Sequence, residues 1–251
     1  MGIGEVLAIA LAGLAAGTIN TVVGSGTLIT FPVLLAFGYA PVTANVSNTV
    51  GLVPGSLSGS VGYRRELAGQ RVHAVRLGIA SGLGGITGAA LLLVLPASAF
   101  KAIVPVFIAL ALAMVILQPR LNRMLAGRTT GSGRAGRVLT LLALYATGIY
   151  GGYFGAAQGI LLLGILGVAL AQDLHRTNAL KNVLAGLVNG VAAVFFIVAA
   201  HVEWGPAAII ALSSILGGQI GARYGRRLPA GALRALIVGV GVTAIVRLIV
   251  G

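Results

Sequence analysis

The chain of 251 residues has no cysteine, four acidic residues and three histidines. Without cysteine there are no disulfides, no thiol chemistry and no thiolate-ligated metal. His73, His175 and His201 stand far apart, with none of the short spacings that bring two imidazoles to one ion. No metal and no cofactor are expected. Charged residues make up only 8% of the chain, against roughly 25% in soluble domains, too few to cover a water-facing surface. What fills the chain instead is 58% hydrophobic residues, with a mean hydropathy of +1.04. That much apolar content also excludes disorder. The chain belongs in a bilayer, as a multi-pass protein.

The net charge of +13 does not indicate nucleic acid. The cations fall in short clusters between apolar runs, where the positive-inside effect places them, and no basic-aromatic pattern for base stacking accompanies them. No Lys or Arg precedes the first apolar run, and Glu5 sits where a signal peptide carries positive charge. The run therefore reads as a first membrane segment.

A crossing needs about 20 apolar residues. The apolar runs are 5–37, 42–62, 74–95, 100–118, 138–171, 177–200, 205–222 and 231–250. Six have the length of one helix. The runs 5–37 and 138–171 are too long for one and short for two. Each is interrupted by glycine and polar residues, Gly24-Ser25-Gly26-Thr27 in one and Gly151 to Gly159 in the other. Each reads as a broken or re-entrant helix pair.

The stretch 119–137 is the only long polar connection and divides the chain nearly in half. A shift of 131 residues lays Gly17, Gly24, Gly55 and Gly59 on Gly148, Gly155, Gly186 and Gly190. It also lays Ser47 on Asn178 and Ser58 on Asn189. A shift of 133 lays Ser81, Gly84, Gly85, Gly88 and Ala89 on Ser214, Gly217, Gly218, Gly221 and Ala222, and continues through Leu95, Pro96, Ala97 and Lys101 onto Leu228, Pro229, Ala230 and Arg234. The ordered set marks a duplication: repeats at 1–118 and 138–251 joined by a basic linker at 119–137.

Four basic clusters test the topology. They are Arg64, Arg65, Arg71 and Arg76; Arg120, Arg123, Arg128, Arg134 and Arg137; Arg176 with Lys181; and Arg223, Arg226 and Arg227. All four share one side only if each broken run enters and returns. Each half then makes three full crossings plus a return pair, an odd net number, so the halves are inverted. The expected fold is an all-α polytopic membrane protein of two inverted repeats, with both termini outside.

Polar residues within membrane segments are costly and mark function. Asn20, Thr21, Ser25 and Thr27 lie at the first break, and Asn45, Ser47, Asn48, Thr49, Ser56, Ser58 and Ser60 follow. Gln158 lies at the second break, followed by Thr177, Asn178, Lys181, Asn182 and Asn189. Helix breaks expose backbone N–H groups, and a helix N-terminus carries about half a positive charge, so the pattern suits an anion. Neutral donors let that anion leave again. Glu5, Glu66, Asp173 and Glu203 all fall at segment ends or loops, which disfavours a cation pump.

Simpler roles stand beside these. The small-xxx-small pairs at 55–59, 186–190, 84–88 and 217–221 read as helix-packing faces, within one protomer or between two, so a homodimer stays open. Ser56, Ser58 and Ser60 read as donors to their own i−4 carbonyls. Tyr63, Tyr224 and Trp204 read as interfacial aromatics, Arg64 and Arg65 as topology anchors, and His201 with Glu203 as a loop pair. Lys181 either snorkels to the basic side or draws a ligand.

The run from Gly13 to Gly17, then Gly24-Ser25-Gly26 leading into Phe31-Pro32-Val33-Leu34-Leu35-Ala36-Phe37-Gly38, then Pro41-Val42-Thr43-Ala44-Asn45, resembles the signature of the TauE/SafE sulfite-exporter family. Gly155-Ala156-Ala157-Gln158-Gly159 and Arg176-Thr177-Asn178 form a weaker second copy. The resemblance covers essentially the whole chain. Ser25 stands where a third consecutive glycine often does, and the cysteine motifs of some members are missing. The resemblance implies a permease of the inner or plasma membrane that moves small anions, sulfite or organosulfonates, often outward.

The expected ligand contacts are Gly24, Ser25, Gly26, Thr27, Gly155 and Gln158. Asn45, Asn48, Asn178 and Asn182 add polar contacts, and Lys181 a positive field. A membrane enzyme is not expected: Gly24-Ser25-Gly26 is similar to the serine motif of intramembrane proteases, but His201 is its only candidate partner and lies at a helix end. A non-transporting membrane partner or assembly subunit is the alternative.

Overall fold

The computed structural model describes residues 1–125, 133–170, 172–225 and 230–250. Arg128, Arg226, Arg227, Leu228 and Pro229 lie outside the described residues. The described residues form ten helices and no strand: α1 (Ile3–Val22), α2 (Thr27–Ala36), α3 (Pro41–Gly62), α4 (Arg71–Val94), α5 (Ala97–Leu125), α6 (Arg134–Tyr153), α7 (Gln158–Ala169), α8 (Leu174–Ala199), α9 (Trp204–Tyr224) and α10 (Ala230–Val250). Five stretches, Ile3–Val22, Arg71–Val94, Ala97–Arg120, Leu174–Ala199 and Trp204–Tyr224, are long and apolar enough to cross a membrane. The chain is a multi-pass membrane protein.

Local chemistry sets the boundaries. Pro41 opens α3, its fixed φ and missing N–H both suited to a first helical residue. Asp173 caps α8, its Oδ1 accepting from the N–H groups of His175 (2.9 Å) and Arg176 (3.0 Å). The Arg176 N–H is the first cause holding that carboxyl below its ordinary range. Both long runs break where expected. Gly24 has φ +86°, Gly155 φ +76° and Ala157 φ 59°, all left-handed, and no helix continues through them.

After each break the chain reverses. Gly26 packs against Ala16 and Asn20 of α1, and the Tyr39 hydroxyl beyond α2 donates to Glu5 at the start of α1 (2.7 Å). Ten residues rise about 15 Å, half of a roughly 30 Å hydrocarbon layer, so α2 has half-span length. In the second half Gly151 packs against the Gln158 side chain across the same kind of turn.

The two ends of the bundle differ. One gathers Glu5, Tyr39, His201 and Glu203: His201 lies 3.2 Å from Glu203, whose N–H donates to Ser47 at the start of α3 (2.9 Å). Burial, then Glu5, raise the Tyr39 phenol to about 12, which keeps it protonated and donating. The other end is basic. There the Arg176 guanidinium donates to Ala68 O (3.1 Å) and the Gln70 amide to Arg176 O (3.0 Å), which joins the loop after α3 to the start of α8. Since α3 ends where α8 begins, and α8 ends beside the start of α3, the two run antiparallel.

Glycine faces pack the long helices pairwise. Gly217 and Gly221 of α9 lie on Leu14 and Thr18 of α1, and Gly84 and Gly88 of α4 lie on Tyr145 and Ile149 of α6. Small residues let helix backbones approach closely where lipid offers no hydrophobic drive. Gly55 packs on Ser214 and Gly59 on Thr21, whereas Gly190 meets no neighbour. Gly186 lies on Ser56 of α3, and Gly186 and Gly190 line an apolar groove between α3 and α8. Ser56 and Ser60 bond their i−4 carbonyls, Leu52 O and Ser56 O. Ser58 departs from that, donating to Ile215 O of α9 (2.8 Å). Tyr63 is buried rather than interfacial, while Trp204 and Tyr224 are exposed.

Candidate functional site

The breaks meet inside the bundle. The Gly159 N–H, one residue into α7, donates to Gly24 O at the first break (3.0 Å). A Cβ built on Gly24 would lie 2.3 Å from the Gly159 Cα, and one on Gly159 would lie 2.4 Å from the Gly24 Cα. Only two glycines allow this approach.

The two helices running past the breaks, α3 and α8, hold them. From α8, Lys181 Nζ donates to Asn20 O (2.9 Å) and Thr21 O (3.2 Å), carbonyls of the last turn of α1. Asn178 Nδ2 and Asn182 Nδ2 also donate to Thr21 O, at 3.2 and 3.3 Å. These carbonyls form the negative end of a helix dipole, and a cation there is stabilising. Lys181 is completely buried two turns into α8, so it does not snorkel. Its Cδ lies beside Gly159, which puts the amine's stem between the two breaks. Among the described residues it makes no ion pair.

From α3, Asn45 Nδ2 donates to Tyr153 O, the last carbonyl of α6 (3.0 Å). Asn48 receives a hydrogen bond from Thr30 and donates to the Thr27 hydroxyl (3.4 Å), tying α3 to the first turn of α2. Asn20 Nδ2 reaches Ser56 (3.4 Å). Asn189 sits near Gly155. Thus α8, through Asn178, Lys181, Asn182 and Asn189, borders both breaks.

Several buried polar atoms here have no partner: the Ser25 hydroxyl, Gln158 Nε2, the Tyr153 hydroxyl and Asn178 Oδ1. Buried polar groups are normally satisfied, and leaving one unmade costs about 1–3 kcal/mol. Ser25 and Gln158 adjoin the Gly24–Gly159 contact beside the Lys181 stem, and open donors next to a buried amine can hold an oxyanion. Tyr153 and Thr30 were not singled out as contacts in the sequence. Thr30 could have been found one turn beyond Thr27, and Tyr153 within the glycine break.

A cavity of about 190 Å³ reaches toward this cluster from the basic end, lined by Val22, Tyr63, Leu163, His175, Asn178 and Gly225 among others. Beside the second break lies an aromatic cluster instead. Phe31 and Phe154 stack edge to face with centroids 5.2 Å apart, Phe100 lies 5.6 Å from Tyr153, and Phe107 lies 5.4 Å from Tyr150. The Tyr150 hydroxyl closes the turn by donating to Ala156 O.

The structure brings together Gly24, Ser25, Gly26, Thr27, Asn178, Lys181 and Asn182 at the first break, with Gln158 and Gly155 at the second and Asn45 and Asn48 bridging from α3. It does not bring His201 to Ser25: His201 lies exposed at the far end on Glu203, and the Ser25 hydroxyl has no partner.

Known proteins are similar to this chain. A "probable membrane transporter protein" of Sinorhizobium sp. is 29% identical over 236 residues, 93% of this chain and 88% of its own length. Similarly named proteins of Escherichia coli and Haemophilus influenzae are 25% and 28% identical, covering 83% and 84% of this chain and 76% and 81% of their own lengths. No solved structure matches. Both glycine breaks and the polar helices α3 and α8 that flank them lie within residues 9–248, which match the sulfite exporter TauE/SafE family, and the chain belongs to that family of membrane transporters.

Proposed function

We propose that the chain is a secondary transporter of small anions, sulfite or organosulfonates, working as an exporter by alternating access between two inverted repeats. The observation that carries this reading is the contact of the two breaks at Gly24 and Gly159, beside a buried Lys181 with no acidic partner and donors with no acceptor among the described residues. The matching helix bounds of the two halves support the repeat, since α1 shifted by 131 residues coincides with α6. The antiparallel course of α3 and α8 supports its inversion. The proposed repeats are 1–118 and 138–251, with 119–137 between them.

In this reading Ser25, Gln158 and Tyr153 donate to the anion, Gly26 and Gly155 let it approach the backbone, and Lys181 supplies positive charge. Lys181 has three N–H donors and two carbonyls on them, which leaves one for the ligand. Thr27, Asn45, Asn48, Asn178 and Asn182 hold the breaks in register. The anion enters through the cavity at the basic end, the cytoplasmic side by the positive-inside effect. The aromatic cluster closes the opposite path.

The test is radiotracer flux in proteoliposomes, comparing sulfite, sulfate, a two-carbon sulfonate and chloride with and without a pH gradient. Saturable flux selective for a sulfur oxyanion or sulfonate is the expected result. Equal leakage of every anion would indicate a channel, and no flux for any would favour a non-transporting membrane partner.

A further inference from the structure

Broken-helix transporters commonly bind a coupling ion on the carbonyls freed where a helix unwinds. In this chain those carbonyls exist: Asn20 O and Thr21 O end α1 at the first break, and the unpartnered Asn178 Oδ1 is carried by a side chain already bonded to Thr21 O. They are oxygen ligands of the kind that hard cations take. Their position is filled. The Lys181 ammonium rests on both carbonyls, at 2.9 and 3.2 Å, completely buried and anchored through its stem against Gly159. The four carboxylates lie elsewhere: Glu5 and Glu203 at one end of the bundle, Glu66 and Asp173 in the loops of the other. None of them bonds to Lys181.

We propose that Lys181 is a tethered cation occupying the place of a coupling sodium ion, so that the protein moves its anion without sodium. This rests on the transporter reading above and extends it to the coupling ion. A covalently held charge neutralises the end of α1 and faces the anion, as a bound ion would. Unlike a free ion, it cannot leave with the substrate. The anion's movement is therefore not tied to a sodium gradient. Lys181 is a positioning residue for the break as well as a charge for the ligand. Removing its side chain frees Asn20 O, leaves Thr21 O to the two weaker amide donors, and opens beside them and Asn178 Oδ1 a space suited to a small hard cation.

Two readouts test this. In proteoliposomes the wild-type protein is given a sulfite gradient with sodium, potassium or choline as the only cation on both sides. Initial rates equal within about twofold are expected, and loss of sulfite flux on removing sodium would overturn the proposal. In detergent, the unfolding midpoint of Lys181→Ala is measured against sodium chloride, with choline chloride at equal ionic strength as reference. A sodium-specific rise of several degrees in the variant, and none in the wild type, is expected, because a ligand that binds only the folded state stabilises it. An identical sodium response in the two proteins would overturn it. Should Lys181→Ala not fold, Lys181→Ser replaces it, the hydroxyl adding one more oxygen to the vacated site. If no anion is transported by the wild type, the transporter reading fails on that result alone, and the sodium response of the variant still decides whether Lys181 fills a cation site.

Discussion

At the first break the end of α1 is held by an amine and two amides from α8, and a cavity reaches it from the basic end. At the second break the end of α6 is held by one amide from α3, and aromatic rings cover it. In the proposed repeat, Tyr153 and Phe154 stand where the first copy has Val22 and Val23, and Lys181 stands where it has Val50. Each of the two helices, α1 and α6, ends at a glycine break. The side chains around them decide which end is polar and reachable and which is dry and closed. In the proposed alternating-access cycle, that inequality would let one path be open while the other is shut.

The contrast can be broken most forcefully where the two breaks touch. Gly159→Val would drive side-chain atoms into the Gly24 backbone and the Lys181 stem, at a cost on the order of 3 kcal/mol. Loss of a monodisperse elution peak and a lowered unfolding midpoint are expected. Next, Gln158→Leu removes an open donor from the second break while keeping its volume. Measured in proteoliposomes, flux should fall about a hundredfold with the elution profile unchanged, the scale of a lost hydrogen bond to a charged group. Unchanged flux would remove the second break from the site.

The dryness of the second break can be sharpened with chemistry the chain does not itself possess. Because the protein has no cysteine, Thr27→Cys places a single thiol at the first turn of α2. Labelling by a membrane-impermeant maleimide from the side of Glu5 and Glu203 should be slow. Phe154→Ala should speed it several-fold by opening the aromatic cluster, whereas Val23→Ala at the matched position should not.

Smaller effects separate shared from unshared holds. Asn45 is the one side chain named on Tyr153 O, so Asn45→Ala should cost about 1 kcal/mol in chemical denaturation. Asn182 shares Thr21 O with Lys181 and Asn178, and Asn182→Ala should cost less. The smallest effect lies at the start of α8. The Asp173 carboxyl is held below its ordinary value of 3.8, so its stabilising contribution is complete above that value. That contribution is lost as pH falls through the lower folded value. The unfolding midpoint of the wild type should therefore drop slightly more than that of Asp173→Asn on acidification below pH 3.8.

Much of this was legible in the residues. The breaks announced themselves because glycine and polar residues interrupt runs too long for one crossing, and α2 begins at Thr27 and α7 at Gln158 where those interruptions end. The common face of Asn178 and Asn182 followed from helical spacing, as did Lys181 beside it. The aromatic cluster was not legible: Phe31, Phe100, Phe107 and Phe154 come from four places in the chain with no shared spacing, and only the packing of α2, α5 and α6 assembles them. Nor did the sequence say that Lys181 points at α1 rather than toward the basic end. That depends on where α1 stops relative to α8, which side-chain periodicity does not encode. Tyr63 was misread for the same reason, since an aromatic at a helix end lies at the lipid interface only if no neighbour covers it.

The glycine seam between α1 and α9 also sets a timetable. Gly17 of α1 meets Ser214 of α9, a residue made almost a full chain length later. At about 5–20 residues per second, synthesis leaves the first helix without its partner for roughly 10–40 s. The seam between α4 and α6 closes far sooner, Gly84 needing only Tyr145 and Gly148. During biogenesis the central pair can therefore assemble while the earliest segment still faces lipid with its small-residue face bare. Only the arrival of the ninth helix retires that exposed surface, so a truncation before α9 should leave a chain inserted in the bilayer but recognised by membrane quality-control proteases.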